Sequence, residues 1–417
     1  MAVDTLHTGM AAPPSTHGGC PIDHRALGQQ KTARVVEPTG RPIERDALGI
    51  WHVRGYRQAR TILRSAYTKQ AGFKADLLER LPQRGNPPIL YQEGQPHHEQ
   101  RRQTARFFTP KAVGENYRQL MEVSAECLIR ELQHKKRADL CLLSMKLAVR
   151  VAGEVVGLTN SRLPGMDRRL NAFFRDDATN FGWSPRALLS VARNQTRIAA
   201  FFYLDVKPAI DARRRQPRED VISHLLAQGA PDTAILTECL TYGAAGMATT
   251  REFINIATWH FLEQPALCER YLSSDEDDRQ QMLQEILRLE PVVGHLYRRT
   301  TGDLELDDGD ATITIPQGSL IDLHIYAINA DETVAGAYPL LICPERELQA
   351  ERAGPAVMSF GDGHHRCPGT YIALQETDIF LQRLLRLPGL QIAQKPSVSW
   401  NDLTAGYELR NFILAVE

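Results

Sequence analysis

Apolar residues recur at intervals of three and four through most of this chain, the spacing that puts them on one face of a helix. Stretches of this kind cover residues 116–158 and 185–226. A further one, 233–262, continues for about thirty residues, which at about 1.5 Å per residue is enough to cross a whole domain. Residues 96–110 are a helix-compatible run that Pro110 ends, and another helix follows Pro368 to about Leu385. Period-two alternation is confined to shorter pieces. It marks a strand at 50–53 ahead of a short helix at 56–63, hairpin strands over 298–306, 311–318 and 320–327 around the turn Pro316-Gln317-Gly318, and a closing hairpin at 403–412. The pattern therefore predicts a mainly α fold with a small β-rich subregion. Residues 73–90 carry Pro82, Gly85, Pro87 and Pro88 without sustained periodicity and are expected to be a long loop with a short helical piece. Residues 1–19, rich in Thr, Pro, Ala, Gly and His, have little to bury and are expected to be a flexible tail.

Composition narrows the class of protein. With 417 residues and 43% hydrophobic content the chain buries a large core, and its length alone would suggest two or three domains. A net charge of −1 supplies no global field for nucleic acid or an anionic membrane. The seven cysteines are odd in number and scattered, which argues against a disulfide framework and for a reducing compartment, the cytoplasm. No run of eighteen apolar residues is present, and the N-terminus lacks the apolar core of a signal peptide, so no membrane span or export is expected.

Chemistry concentrates in Phe360-Gly361-Asp362-Gly363-His364-His365-Arg366-Cys367-Pro368-Gly369. Three glycines let the backbone approach something large and flat. Pro368 suits the first helical position, which would place Cys367 at a helix N-terminus where the dipole favours a thiolate. Such a loop suits an axial ligand to haem iron. The competing readings are a zinc ligand and an inert core cysteine, but no second Cys/His pair stands at zinc-like spacing. In the long helix, Gly243 and Gly246 leave room for a flat cofactor, and a Thr249 or Thr250 hydroxyl competes for an i−4 carbonyl and opens the ladder to water. The same residues also suit a helix-packing interface. His97 and Arg101, four apart, share a helix face, and Glu285 with Arg288 makes an i,i+3 pair.

The segment 360–369 fills every defined position of FGxGxHxCxG, the cysteine-loop signature of the cytochrome P450 family, with Phe360, Gly361, Gly363, His365, Cys367 and Gly369. Ala245-Gly246-Met247-Ala248-Thr249-Thr250 resembles the family's oxygen-activation motif, [A/G]-G-x-[D/E]-T-[T/S], with Ala248 in place of the acid. From about Pro38 to Glu417 the chain resembles the soluble, typically bacterial members. The resemblance implies one haem domain over 20–417, with the long central helix over haem b and the Cys367 loop on the opposite face. It implies propionate contacts from His97, Arg101, Arg298 and His365, with His98 one step out of register and Arg299 as the alternative to Arg298. Ala245, Gly246, Phe360, Gly361 and Gly369 would lie against the cofactor, and Glu285, Arg288 and Arg346 would brace the cysteine loop. Thr249 and Thr250 would serve dioxygen, and Glu252, substrate or water would supply the proton that Ala248 does not. Pocket walls would come from 73–90, 171–183, 242–253, 292–296 and 407–411, including Phe174, Tyr242, Val293 and Leu296. The implied activity is a monooxygenase acting on an apolar or aromatic small molecule. Electrons would come from a separate ferredoxin and its reductase, met by a positive patch of Arg101, Arg102, Arg106, Arg346 and Arg366. Peroxide-driven oxygenation or one-electron coupling, and a non-catalytic gas- or ligand-binding haem protein, are the other classes.

Overall fold

The computed structural model describes residues 30–32, 41–73, 75, 87–174, 185–309, 311–351, 353–402 and 404–417. The expected tail at 1–19, Cys20 and most of the loop at 73–90 lie outside them. The long apolar pattern becomes α5 (Asp232–Tyr242), a π-helical segment Gly243–Ala248, and α6 (Thr249–Glu263). Helix α6 is buried almost all round, from Thr250 to Thr258 and again at His260 and Phe261, as a helix through the middle of a core must be. It packs on α4 (Leu140–Val156) and α8 (Thr370–Leu384), while α8 also packs on α3 (Arg118–Lys135) and α7 (Glu276–Leu289). These helices share one continuous hydrophobic core.

A second, smaller core lies under a five-stranded sheet ordered β1 (Ile43–Arg45), β2 (Trp51–Val53), β8 (Leu320–His324), β5 (His295–Thr300), β3 (Thr68–Gln70). Helix α1 (Tyr56–Arg64) lies on it through Tyr56, Ala59, Ile62 and Leu63. Strands β2 and β8 are parallel, with His52 opposite Asp322, and β5 is antiparallel to β8, with His295 opposite His324. The predicted hairpin appears as β6 (Leu304–Asp307) with β7 (Thr312–Ile315). Near the C-terminus, β10 (Ser397–Asn401) pairs with β11 (Gly406–Arg410), and β4 (Arg137–Asp139), β12 (Ile413–Ala415) and β9 (Gln391–Gln394) form a third sheet.

Several boundaries differ from the sequence expectation for local reasons. Pro110 does not end α2 (Gly94–Thr104); a tight 3₁₀ turn intervenes, and Pro110 opens the next helical turn, where Thr109 accepts from the Ala112 N–H. Pro368 is not the first residue of α8, whose cap is Gly369 and whose Thr370 hydroxyl donates back to the Cys367 carbonyl at 3.1 Å. Strand β8 stops at His324 and gives way to the helical turn Ile325–Asn329. The closing hairpin starts at Ser397, ahead of the expected 403. Among the described residues no helix is long and apolar enough to cross a membrane.

Candidate active site

A cavity of about 330 Å³ lies between the π segment and the cysteine loop. Its near wall holds Tyr242, Ala245, Gly246, Thr249 and Thr250; the far wall holds Phe360, Gly361, His365, Cys367 and Gly369; Val293, Leu296 and Arg298 also line it. Widening of the helix comes with the predicted hydroxyl contact, since Thr249 Oγ1 donates to the Ala245 carbonyl at 2.5 Å. A π turn of this kind is a common accompaniment of functional sites. On the other side, Gly361 and Gly363 both take positive φ, and a Cβ at Gly363 would lie 2.2 Å from the Leu63 carbonyl oxygen. The loop can therefore dock on the end of α1 only with glycine there. It is closed by the Cys367 N–H donating to the Phe360 carbonyl at 2.8 Å.

Nitrogen-bearing side chains, two of them fully buried, gather at the site. His97 is 2% exposed, its ring stacked on His365 at 4.2 Å, and its Nδ1 has no partner. Burial, with His365 and Arg101 nearby, pushes its pKa down to about 4. Arg298 is 1% exposed, and burial also lowers its pKa; Nη1 donates to Gln70 Oε1 at 3.2 Å while Nε has no partner. Arg101 donates to the Arg366 carbonyl, and burial lowers it too. His365 is held by Glu93 at 3.0 Å. Buried donors left unpartnered are costly. Their arrangement around a largely apolar slot fits a flat cofactor with acidic side groups. The ambiguous positions are separated by burial: His98 is exposed and pairs with His364 at 3.0 Å, while Arg299 donates to the Gly318 carbonyl at 3.1 Å.

Two expectations are corrected. Cys367 precedes α8 rather than opening it, since the helix is capped by Gly369 and starts at Thr370; burial pushes its thiol up, while the Gly369 N–H, Arg101, Thr370 and Arg366 pull the other way. Glu252 does not line the cavity. Arg251 Nε at 2.8 Å and Arg410 Nη1 at 2.9 Å bond its Oε1, and the Leu409 N–H bonds its Oε2 at 2.8 Å, so it ties α6 to β11. The same hairpin contributes Thr404 to the cavity, whereas Tyr407 and Leu409 are buried in the core. Phe174 ends the helix Met166–Phe174, but its side chain, like residues 175–184, falls outside the description.

One carboxyl was missed by sequence reasoning. Glu376 on α8 lines the cavity, is 2% exposed, and has Oε1 unpartnered. Burial pushes its pKa up to about 8. The available signal was its place three and four residues after Ala373 and Ile372, which line the same cavity.

Glu285, Arg288 and Arg346 meet ahead of the cysteine loop. Arg288 donates to both Glu285 oxygens at 2.7 and 2.9 Å, and Arg346 Nε and the Cys343 N–H converge on Oε1 at 3.0 and 2.9 Å. Arg288 also donates to the Asn329 carbonyl at 2.9 Å. The Asn329 side chain then accepts from the Met358 N–H at 2.9 Å and donates to Ser359 Oγ at 2.8 Å, immediately before the cysteine loop.

A sequence profile described as "Cytochrome P450" matches residues 279–398. The biotin biosynthesis cytochrome P450 of Bacillus subtilis is 25% identical over 355 residues, covering 82% of this chain and 84% of that protein. Cytochrome P450 130 of Mycobacterium tuberculosis is 27% identical over 335 residues, 76% of this chain and 75% of its own length. The crystal structure of P450BioI in complex with hexadec-9Z-enoic acid ligated acyl carrier protein shares the fold with a TM-score of 0.71 at 24% identity, covering 90% of this chain and 94% of that one. The profile match, the curated relatives and the shared fold together support a bacterial-type cytochrome P450. Proteins with that name are haem-thiolate monooxygenases.

Proposed function

We propose that this enzyme binds haem b and inserts one atom of dioxygen into an apolar or aromatic small molecule, drawing electrons from a separate ferredoxin and its reductase in the cytoplasm. The observation that carries the reading is the apolar cavity bounded by Thr249 on one wall and Cys367 on the other, with two buried nitrogens, His97 Nδ1 and Arg298 Nε, left without partners beside it. The overall change balances as dioxygen, two electrons and two protons converting a C–H bond to C–OH and releasing water.

Haem bound there supplies a thiolate-ligated iron at which dioxygen is reduced. Cys367 Sγ is the ligand, and Arg101 with the Gly369 N–H favours the charge on its sulfur. His97, Arg101, Arg298 and His365 hold the propionates, with Glu93 fixing the orientation of the His365 ring. Ala245, Gly246, Phe360, Gly361 and Gly369 present small or flat surfaces to the cofactor plane. The Thr249 hydroxyl, anchored on the Ala245 carbonyl, positions water in the widened turn and passes a proton inward, and Thr250 flanks it. Ala248 brings no acid, and Glu252 is committed elsewhere; of the two carboxyls lining the cavity among the described residues, Asp362 is paired with Arg64 and Glu376 sits on α8, the helix that follows the cysteine loop. Tyr242, Val293 and Leu296 exclude water and set the apolar character of the substrate space.

The commitment of Glu252 favours a second reading, oxygenation driven by peroxide or one-electron coupling, because peroxide arrives already carrying protons. Turnover of an apolar substrate panel with isotopically labelled dioxygen, reductant and a ferredoxin separates the two. One labelled atom in the product supports the monooxygenase; product formed with peroxide and none with dioxygen plus reductant supports the alternative.

A further inference from the structure

Behind strand β5, on the face of the sheet opposite the cavity, lies a cluster that the oxygenase chemistry does not use. Leu296 and Arg298 of β5 face the cavity, so alternation turns His295 the other way. There it meets Asp322 and His324 of β8 and His52 of β2, brought together by the register His52 opposite Asp322 and His295 opposite His324. His52 Nδ1 and His324 Nε2 are 2.8 Å apart, and Asp322 Oδ2 is 3.6 and 3.4 Å from them. We infer that these three atoms form a site for a borderline divalent transition ion, zinc being the first choice by donor type, with a fourth position left for water.

The geometry supports this closely. A triangle with edges of 2.8, 3.4 and 3.6 Å has a circumscribed radius of about 1.9 Å. Three ligands of a tetrahedral zinc, each about 2.0–2.1 Å from the ion, lie on a circle of that same radius, about 1.9 Å. The outer contacts are those a metal site needs. His52 Nε2 lies 3.2 Å from Asp46 Oδ2, and His295 Nδ1 donates to Asp322 Oδ1 at 2.8 Å. Carboxylate–imidazole contacts of this kind fix tautomer and orientation so that the opposite atom faces the ion. The His52 and His324 side chains are 21% and 10% exposed and Asp322 is 8% exposed, so the ligands are mostly dry while His52 leaves an entry path. A bound ion would tie β2 to β8 directly, and β5 to β8 through His295.

The test is calorimetric titration of Zn²⁺ into the untagged, haem-loaded, chelator-dialysed enzyme, with X-ray absorption of the bound zinc. One ion per chain is expected, with affinity falling by about tenfold or more in Asp46→Asn and further in His52→Gln and His324→Gln, while His134→Gln at an exposed site elsewhere changes nothing. The absorption spectrum of the unaltered enzyme should show two imidazoles and no sulfur around the zinc, a readout that needs no variant to fold. No saturable binding, binding unaltered in both His52→Gln and His324→Gln, or sulfur in the coordination shell would overturn the assignment.

Discussion

Glu376 shows how much a single side chain's surroundings decide. A carboxyl without a charged partner in a dry cavity keeps its proton, and burial holds this one near 8 against an ordinary 4.5. Between those two values the folded chain binds a proton that the unfolded chain has lost, so stability falls as pH rises through that window, by up to about 1.4 kcal/mol per pH unit. Denaturant unfolding of Glu376→Gln should therefore show its stability gain over the unaltered enzyme growing from pH 5 to pH 8; a constant difference would mean that Glu376 is already ionised. At the same scale, Thr249→Val is expected to lower product formed per electron consumed by about tenfold or more, the usual scale of a lost proton donor, with substrate affinity nearly unchanged. A coupling ratio equal to that of the parent would remove Thr249 from proton delivery. The sequence pointed to Thr249, Cys367, His97 and Arg298 because motif spacing constrains such positions, and it pointed to Glu252 while passing over Glu376. Distance along the chain measures neither direction nor company: Glu252 is one turn from Thr249 and turns outward to Arg251 and Arg410, while Glu376 arrives from another helix.

At the level of elements, the cysteine loop is held from behind by a chain of contacts through Glu285, Arg288, Arg346 and Asn329. Removing one partner leaves buried charge unpaired, so Arg346→Ala should cost about 3–5 kcal/mol in unfolding free energy and release haem more readily. An unfolding midpoint equal to the parent's would show the network to be slack. Glu252→Gln weakens the tie between α6 and β11 and should lower the unfolding midpoint while leaving the pH dependence of turnover unchanged, and a shifted pH profile would restore Glu252 to catalysis. Helices and hairpins were legible because apolar periodicity survives burial on one side, and even the break at Gly243–Ala248 was signalled by its glycines and threonines. The ends were less so. Pro368 fixes its own φ but did not start α8, because Gly369 and the Thr370 hydroxyl closed the turn after Cys367 instead.

For the whole molecule, electron delivery requires a surface near the cysteine loop. Arg102, Arg106 and Arg366 are exposed there, whereas Arg346 is drawn inward by Glu285 and Arg101 by the Arg366 carbonyl, so the basic patch is smaller than the sequence suggested. An acidic ferredoxin should still reduce the enzyme more slowly as salt rises, because screening shortens the reach of exposed charge from about 10 Å at 0.1 M to about 3 Å at 1 M. A rate indifferent to salt would place the docking surface elsewhere. Everything said of function rests on sulfur ligation by Cys367, and its most direct measurement is the absorption difference spectrum of the reduced, carbon-monoxide-bound enzyme beside that of Cys367→His. The unaltered enzyme should give the red-shifted Soret band of a thiolate ligand, absent from the haem-loaded variant. A folded, haem-loaded unaltered enzyme without that band, or a variant that keeps it, would contradict the account.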